Sequence, residues 1–194
     1  MRAVFLDRDG VVNRDGPGFV THPDGLHLLP RVAEAIARIG ELGFAAVLVT
    51  NQSGVGRGIM TADDLERVHA RMIEGLAAAG GELSLILSCT HAPWDGCDCR
   101  KPAPGMLHQA RDRLRVDLTS SYLVGDKPTD IECGAAVGCT TILVLSGLDP
   151  VYDHSRFVRQ PDAVATDLWA AVEWIATREA KVGTTSPVAT EAQR

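Results

Sequence analysis

Ala3-Val4-Phe5-Leu6-Asp7-Arg8-Asp9-Gly10 opens the chain with four apolar residues that run directly into two carboxylates and a glycine. A short apolar run broken by polar residues reads as a buried strand that delivers functional side chains at its carboxyl end. Outward from it, the same alternation continues. A helix is expected near Val32 to Leu42, a strand over Phe44 to Val49, a helix from about Ala62 to Ala79 and a strand over Leu83 to Leu87. Then come a helix near Met106 to Leu114, a strand over Tyr122 to Val124, a helix near Ile131 to Val137 and a strand over Thr141 to Leu145. Thr61 is the expected N-cap of the helix it precedes, whose buried face is Leu65, Val68, Met72 and Leu76, and Gly80-Gly81 ends it. Continuous apolar strands separated by helices imply a sheet covered on both faces. The expected fold is α/β, a doubly wound, Rossmann-like and mostly parallel sheet of about five core strands with right-handed crossovers.

The chain has 194 residues, 45% of them hydrophobic, which suits one domain over residues 1–177. Residues 178–194 are polar and lack apolar periodicity, so a mobile tail is expected there. No apolar run long enough to span a membrane and no signal-peptide pattern is present, so a soluble, cytoplasmic protein without a membrane partner is expected. A net charge of −6 and an aromatic content of 5% argue against nucleic acid as a partner. A monomer is expected.

Three strands end informatively: Asp7-Arg8-Asp9-Gly10, Thr50-Asn51-Gln52-Ser53-Gly54, and Gly125-Asp126-Lys127-Pro128-Thr129-Asp130. Residues two apart on an extended chain project to one side, which would put Asp7 and Asp9 together. Their mutual repulsion calls for a hard divalent cation, and Asp126 from another strand end completes an oxygen set of the kind magnesium prefers. A single aspartate at a strand end would be read as a cap or a turn; agreement among three strand ends favours a site.

Residues 89–99 hold Cys89, His91, Cys97 and Cys99 within one loop. Four such ligands suit tetrahedral zinc with no open position, hence a structural site rather than a catalytic one. The bland alternative is a few buried thiols beside a surface histidine. Cys133 and Cys139 read as small core residues.

In order and spacing, residues 3 to 147 resemble the haloacid dehalogenase superfamily, through Asp7-Arg8-Asp9-Gly10, Thr50, Lys101, and Gly125-Asp126 with Asp130. The resemblance implies that Asp7 attacks phosphorus to form an aspartyl-phosphate, and that Asp9 acts as acid and then base. Thr50 and Lys101 would hold the phosphoryl oxygens, magnesium would sit on Asp7, Asp9 and Asp126, and Asp130 would orient Lys101 or a bound water. Zinc would anchor the loop that carries Arg100 and Lys101. The intervals between motifs leave little room for a cap domain, so loops must grip the substrate, and Asn13 to Phe19, Gln52 to Arg57 and Arg100 are the candidates. Val49 to Gly58, Cys97 to Met106 and Val124 to Lys127 resemble the branch of the superfamily that acts on heptose 1,7-bisphosphates. In that reading Asn51, Gln52, Ser53, Arg57, Arg100 and Lys127 contact substrate; each of the three cations could equally be a solvated surface charge. The short interval from His91 to Cys97 also resembles histidinol-phosphate phosphatases, the alternative reading. Polynucleotide 3′-phosphatases share a Thr-Asn-Gln segment but are disfavoured by the acidic charge balance, and a non-catalytic sugar-phosphate sensor is disfavoured by the intact Asp7 and Asp9 pair.

Overall fold

The computed structural model describes residues 1–16 and 18–184. Six strands form one parallel sheet: β1 (Arg2–Leu6), β2 (Phe44–Asn51), β3 (Leu85–Cys89), β4 (Tyr122–Gly125), β5 (Thr140–Val144) and β6 (Ala163–Ala165), in the order β3-β2-β1-β4-β5-β6. The helices are α1 (Val32–Glu41), α2 (Ala62–Ala77), α3 (Gly105–Leu114), α4 (Pro128–Ala136) and α5 (Leu168–Thr184).

Side chains alternate across each strand, and β1 divides accordingly. Val4 and Leu6 join a cluster with Ile36 and Ile39 of α1, Val68 and Met72 of α2, and Val172 and Ile175 of α5. Ala3 and Phe5 join the opposite cluster with Met106, Leu107 and Ala110 of α3 and Cys133 of α4. Each such buried Leu, Ile or Phe contributes roughly 1.5–3 kcal/mol, so the central strands are held rigidly enough to aim the polar residues at their carboxyl ends. Helix α2 begins as expected: Thr61 Oγ1 accepts from Asp64 N–H at 3.1 Å, and Asp64 Oδ2 accepts from Thr61 N–H at 2.8 Å.

Two elements differ from expectation. The sheet has a sixth strand, β6, and a long helix, α5, succeeds it. Helix α5 runs through residues 178–184, where a tail is expected from the sequence. Glu179 explains the extension, because it pairs with Arg2 and accepts from the Tyr122 hydroxyl at 2.6 Å, tying the helix to β1 and β4. The rest of the expected tail, 185–194, lies outside the described residues. No described helix is long and apolar enough to cross a membrane.

The chain winds outward from β1 to β3 and then returns to β4 on the other side of β1, so strand order reverses between β1 and β4. Ligands bind at the carboxyl ends of strands beside such a reversal. Leu6 is in register with Leu48 and Val124, so Asp7, Thr50 and Asp126 emerge at one rim. The connections there, 52–61 and 90–104, are loops without an inserted domain.

Candidate active site

Asp7 N–H extends the β1–β4 ladder by donating to the Val124 carbonyl at 3.0 Å, which fixes the residue at the rim. Lys101, from loop 90–104, places Nζ 2.9 Å from Asp7 Oδ1 and 2.6 Å from Asp130 Oδ1. It is only 3% exposed. Burial alone would lower its pKa, but Asp130 and Asp7 outweigh that and raise it, so the ammonium stays charged. Carboxylate oxygens of Asp7, Asp126 and Asp130 all lie within 4.8 Å of one another.

Three buried carboxylates share Lys101, paired with Asp7 and Asp130, and Lys127, beside Asp126, which leaves excess negative charge. Burial, and after it the Asp7 charge, pushes Asp126 up to about 8, and burial raises Asp130 despite Lys101. Asp126 Oδ1 is buried without a hydrogen-bond partner among the described residues. Glycines wall Asp126 in: a Cβ on Gly10, whose φ is +86°, would lie 2.4 Å from Asp126 Oδ2, and one on Gly147 would lie 2.2 Å from it. An all-oxygen donor set with an unpaired buried oxygen fits a hard divalent cation.

Asp9 departs from the expected cation set. Its carboxylate is turned to other partners: Arg8 Nη2 at 3.0 Å from each oxygen, Arg8 Nε at 3.2 Å, Asn13 Nδ2 at 2.9 Å and Gln52 Nε2 at 2.8 Å. Burial would raise the Asp9 pKa, but the Arg8 charge and these donors outweigh it and hold the group below the usual carboxylate value. Gln52 Nε2 also donates to Thr50 Oγ1 at 2.9 Å. Asp7, Asp9, Thr50 and Lys101 line a single cleft of about 450 Å³, joined by Asn51, Arg100 and Lys127.

From the end of β3 and along the loop leading to Lys101, Cys89, His91, Cys97 and Cys99 bring their ligand atoms together, all within 4.8 Å of one another. Sγ of Cys97 lies 3.6 Å from Cys89 and 3.5 Å from Cys99, and His91 Nδ1 lies 3.3 Å from Cys99 Sγ. Those separations are far beyond a disulfide, and near the edge of roughly 3.8 Å that a tetrahedron of zinc–sulfur bonds would have. The donor chemistry and spacing fit zinc.

A family model described as HAD-hydrolase-like matches residues 98–171. A Pseudomonas aeruginosa protein named D-glycero-beta-D-manno-heptose-1,7-bisphosphate 7-phosphatase is 45% identical over 144 residues, covering 74% of this chain and 81% of its own. A Thermosynechococcus vestitus D-glycero-D-manno-heptose-1,7-bisphosphate 7-phosphatase is 40% identical, covering 90% of this chain and 95% of its own. The crystal structure of the D,D-heptose 1,7-bisphosphate phosphatase from B. bronchiseptica, complexed with magnesium and phosphate, superposes with a TM-score of 0.86 at 38% identity, covering 92% of this chain and 99% of that one.

The chain belongs to the haloacid dehalogenase-like phosphatases. As a member of this family it is a phosphoric monoester hydrolase.

Within this phosphatase the remaining expected residues divide into those at the cleft and those turned away from it. Arg100 lines the cleft, with Nη1 buried and unpartnered among the described residues. Lys127 Nζ lies 2.9 Å from Asp15 Oδ2 and 3.5 Å from Asp126 Oδ2. Asn51 lines the cleft too, but its amide is spent on the backbone of Lys101. Gln52 and Ser53, expected at the substrate, are buried, and Gln52 serves Asp9 and Thr50 instead. Arg57 sits over the rings of Trp94 and Phe19, at 5.3 and 6.0 Å, not among the lining residues of the cleft. Sequence reasoning assigns no role to Arg8, and reaches Asn13 and Asp15 only as members of a candidate loop. The one signal for all three is their place beside the first carboxylate pair.

Proposed function

We propose that this phosphatase removes the C7 phosphate of D-glycero-D-manno-heptose 1,7-bisphosphate through an aspartyl-phosphate on Asp7. The convergence of Asp7, Asp9, Thr50 and Lys101 on one cleft carries the reaction, and the relatives' names carry the substrate.

Asp7 Oδ attacks phosphorus in line with the departing C7 oxygen, and Asp9, once protonated against the pull of Arg8, Asn13 and Gln52 toward its ionised form, supplies the proton that this oxygen needs. Lys101 Nζ is ion-paired to Asp7 and Asp130, and an ammonium with three N–H groups has a donor to turn to a phosphoryl oxygen. Thr50 Oγ1 accepts from Gln52, so its own proton is free to be donated to another. Water then attacks the acyl phosphate, with Asp9 taking its proton, and inorganic phosphate leaves. Asp7 and Asp126, with Asp130 close by, would hold magnesium, which would supply neutralising charge for the phosphoryl group. Cys89, His91, Cys97 and Cys99 would hold zinc, which would anchor the loop that delivers Arg100 and Lys101. Arg100 and Lys127 are suited to the phosphate that stays on the sugar.

A magnesium-supported assay comparing kcat/KM for both anomers of the heptose bisphosphate with that for histidinol phosphate tests the substrate. A tenfold or greater preference for histidinol phosphate overturns the assignment. Loss of phosphate release in Asp7→Asn is expected, and retained turnover would overturn the nucleophile.

A further inference from the structure

We propose that Arg8 is a positioning residue for catalysis, clamping the Asp9 carboxylate in the place from which it serves the departing ester oxygen. This rests on the reading of Asp9 as the proton donor given above.

Arg8 lies between the two carboxylates and connects to both. Its backbone N–H donates to Asp7 Oδ1 at 2.7 Å, and all the hydrogen bonds of its guanidinium among the described residues go to Asp9. Its carbonyl accepts from Val12 N–H at 2.8 Å and Asn13 N–H at 3.0 Å, which turns the chain back so that Asn13 Nδ2 reaches Asp9 as well. One residue therefore holds the nucleophile's carboxylate through its N–H, the turn after it through its carbonyl and the second carboxylate through its side chain.

The side chain is 1% exposed, and Nη1 is buried with no partner among the described residues. Taking a guanidinium out of water costs several kcal/mol, and an apolar residue of similar volume would often serve folding as well or better. A buried cation with an idle donor is thus poorly explained by stability alone. The planar fork does give geometry, because two nitrogens fix the plane of a carboxylate where a point charge would not. A proton donor displaced by an ångström can lose about a hundredfold in rate, so such fixation bears directly on catalysis.

The test separates proton donation from everything else the site does. An alkoxide leaving group, as in the heptose bisphosphate, needs a proton; p-nitrophenolate leaves without one. The measured quantity is the ratio of kcat/KM for the heptose bisphosphate to that for p-nitrophenyl phosphate, in wild type, Asp9→Asn, Arg8→Gln and Arg8→Lys. Because both substrates are read on the same preparation, the ratio does not depend on the folded fraction. We expect Arg8→Gln to lower it at least tenfold, in the same direction as Asp9→Asn, with a smaller drop in Arg8→Lys, which keeps the charge and loses the fork. If Arg8→Gln is not soluble, the drop in Arg8→Lys carries the test. A ratio lowered in Asp9→Asn but unchanged in the Arg8 variants overturns the positioning role and leaves the reading of Asp9 intact. A ratio unchanged in Asp9→Asn overturns that reading and this inference with it.

Discussion

The side-chain amide of Asn51 pairs with the backbone of Lys101 in both directions: Nδ2 donates to the Lys101 carbonyl at 3.0 Å, and Lys101 N–H donates to Oδ1 at 3.0 Å. The tip of β2 thereby holds the residue whose ammonium bridges Asp7 and Asp130. Asn51→Ala leaves a part-buried N–H and carbonyl unpaired, at a cost of about 1–3 kcal/mol. The expected outcome is a lower melting temperature and a kcat that falls more than KM rises, since the loss is in placement rather than in substrate contacts. Steady-state kinetics alongside a thermal melt checks both; a change in KM alone would contradict this account.

Gly10 meets two demands at once, a φ of +86° and a Cβ-free approach to Asp126. Gly43 has a φ of +79° with nothing within 4 Å of where a Cβ would stand, so it shares only the first. Ala at either position should cost on the order of 1–2 kcal/mol from the left-handed backbone. Gly10→Ala should also push on Asp126 and lower kcat/KM by about a hundredfold or more, while Gly43→Ala keeps full activity per folded molecule. Equal activity losses in the two variants would refute the role assigned to the close approach.

The central strands and the residues at their ends are legible in the sequence because apolar runs and the polar residues that stop them are local features. The Cys89, His91, Cys97 and Cys99 set is legible from spacing in the same way. Strand β6 is not, since Ala163-Val164-Ala165 is short and Val164 is 42% exposed at the sheet edge. Helix α5 has a readable signal in Leu168, Ala171, Val172 and Ile175, which recur at three- and four-residue steps. Its last turns have none, because their anchor is one acidic residue reaching Arg2 and Tyr122, remote in sequence. The alternation rule groups Asp9 with the cation ligands because it assumes extended backbone; the carbonyl of Arg8 instead closes a turn onto Val12 and Asn13. Asn51 and Gln52 mark a general limit, since a polar residue at a strand end looks the same whether it serves the ligand or the side chain that does.

On the proposal that zinc supports the loop that carries Arg100 and Lys101, its removal should act at the cleft without direct contact. Chelation and then transfer into excess magnesium should leave a folded α/β core with reduced phosphate release, restored by zinc and not by more magnesium. Circular dichroism, metal analysis and the release assay on one sample provide the check. Stripped protein that turns over at the original rate would defeat the supporting role.

Asp126 gives a pH dependence of defined sign. In the metal-free fold its pKa is pushed up from 3.8 to about 8, by burial first and then by Asp7. Between those values the folded protein keeps a proton that the unfolded chain gives up, so metal-free stability falls as pH rises toward about 8 and levels off above it. A divalent cation takes the place of that proton and binds the ionised form, so its affinity rises over the same interval. The increase in melting temperature produced by a fixed magnesium concentration should therefore be larger at about pH 8 than at about pH 6, with proton release on binding at the lower pH. Asp126→Asn should flatten both trends. Equal magnesium stabilisation at the two pH values in the wild type would mean that Asp126 is ionised throughout, and that the crowding of Asp7, Asp126 and Asp130 does not set the demand for the cation.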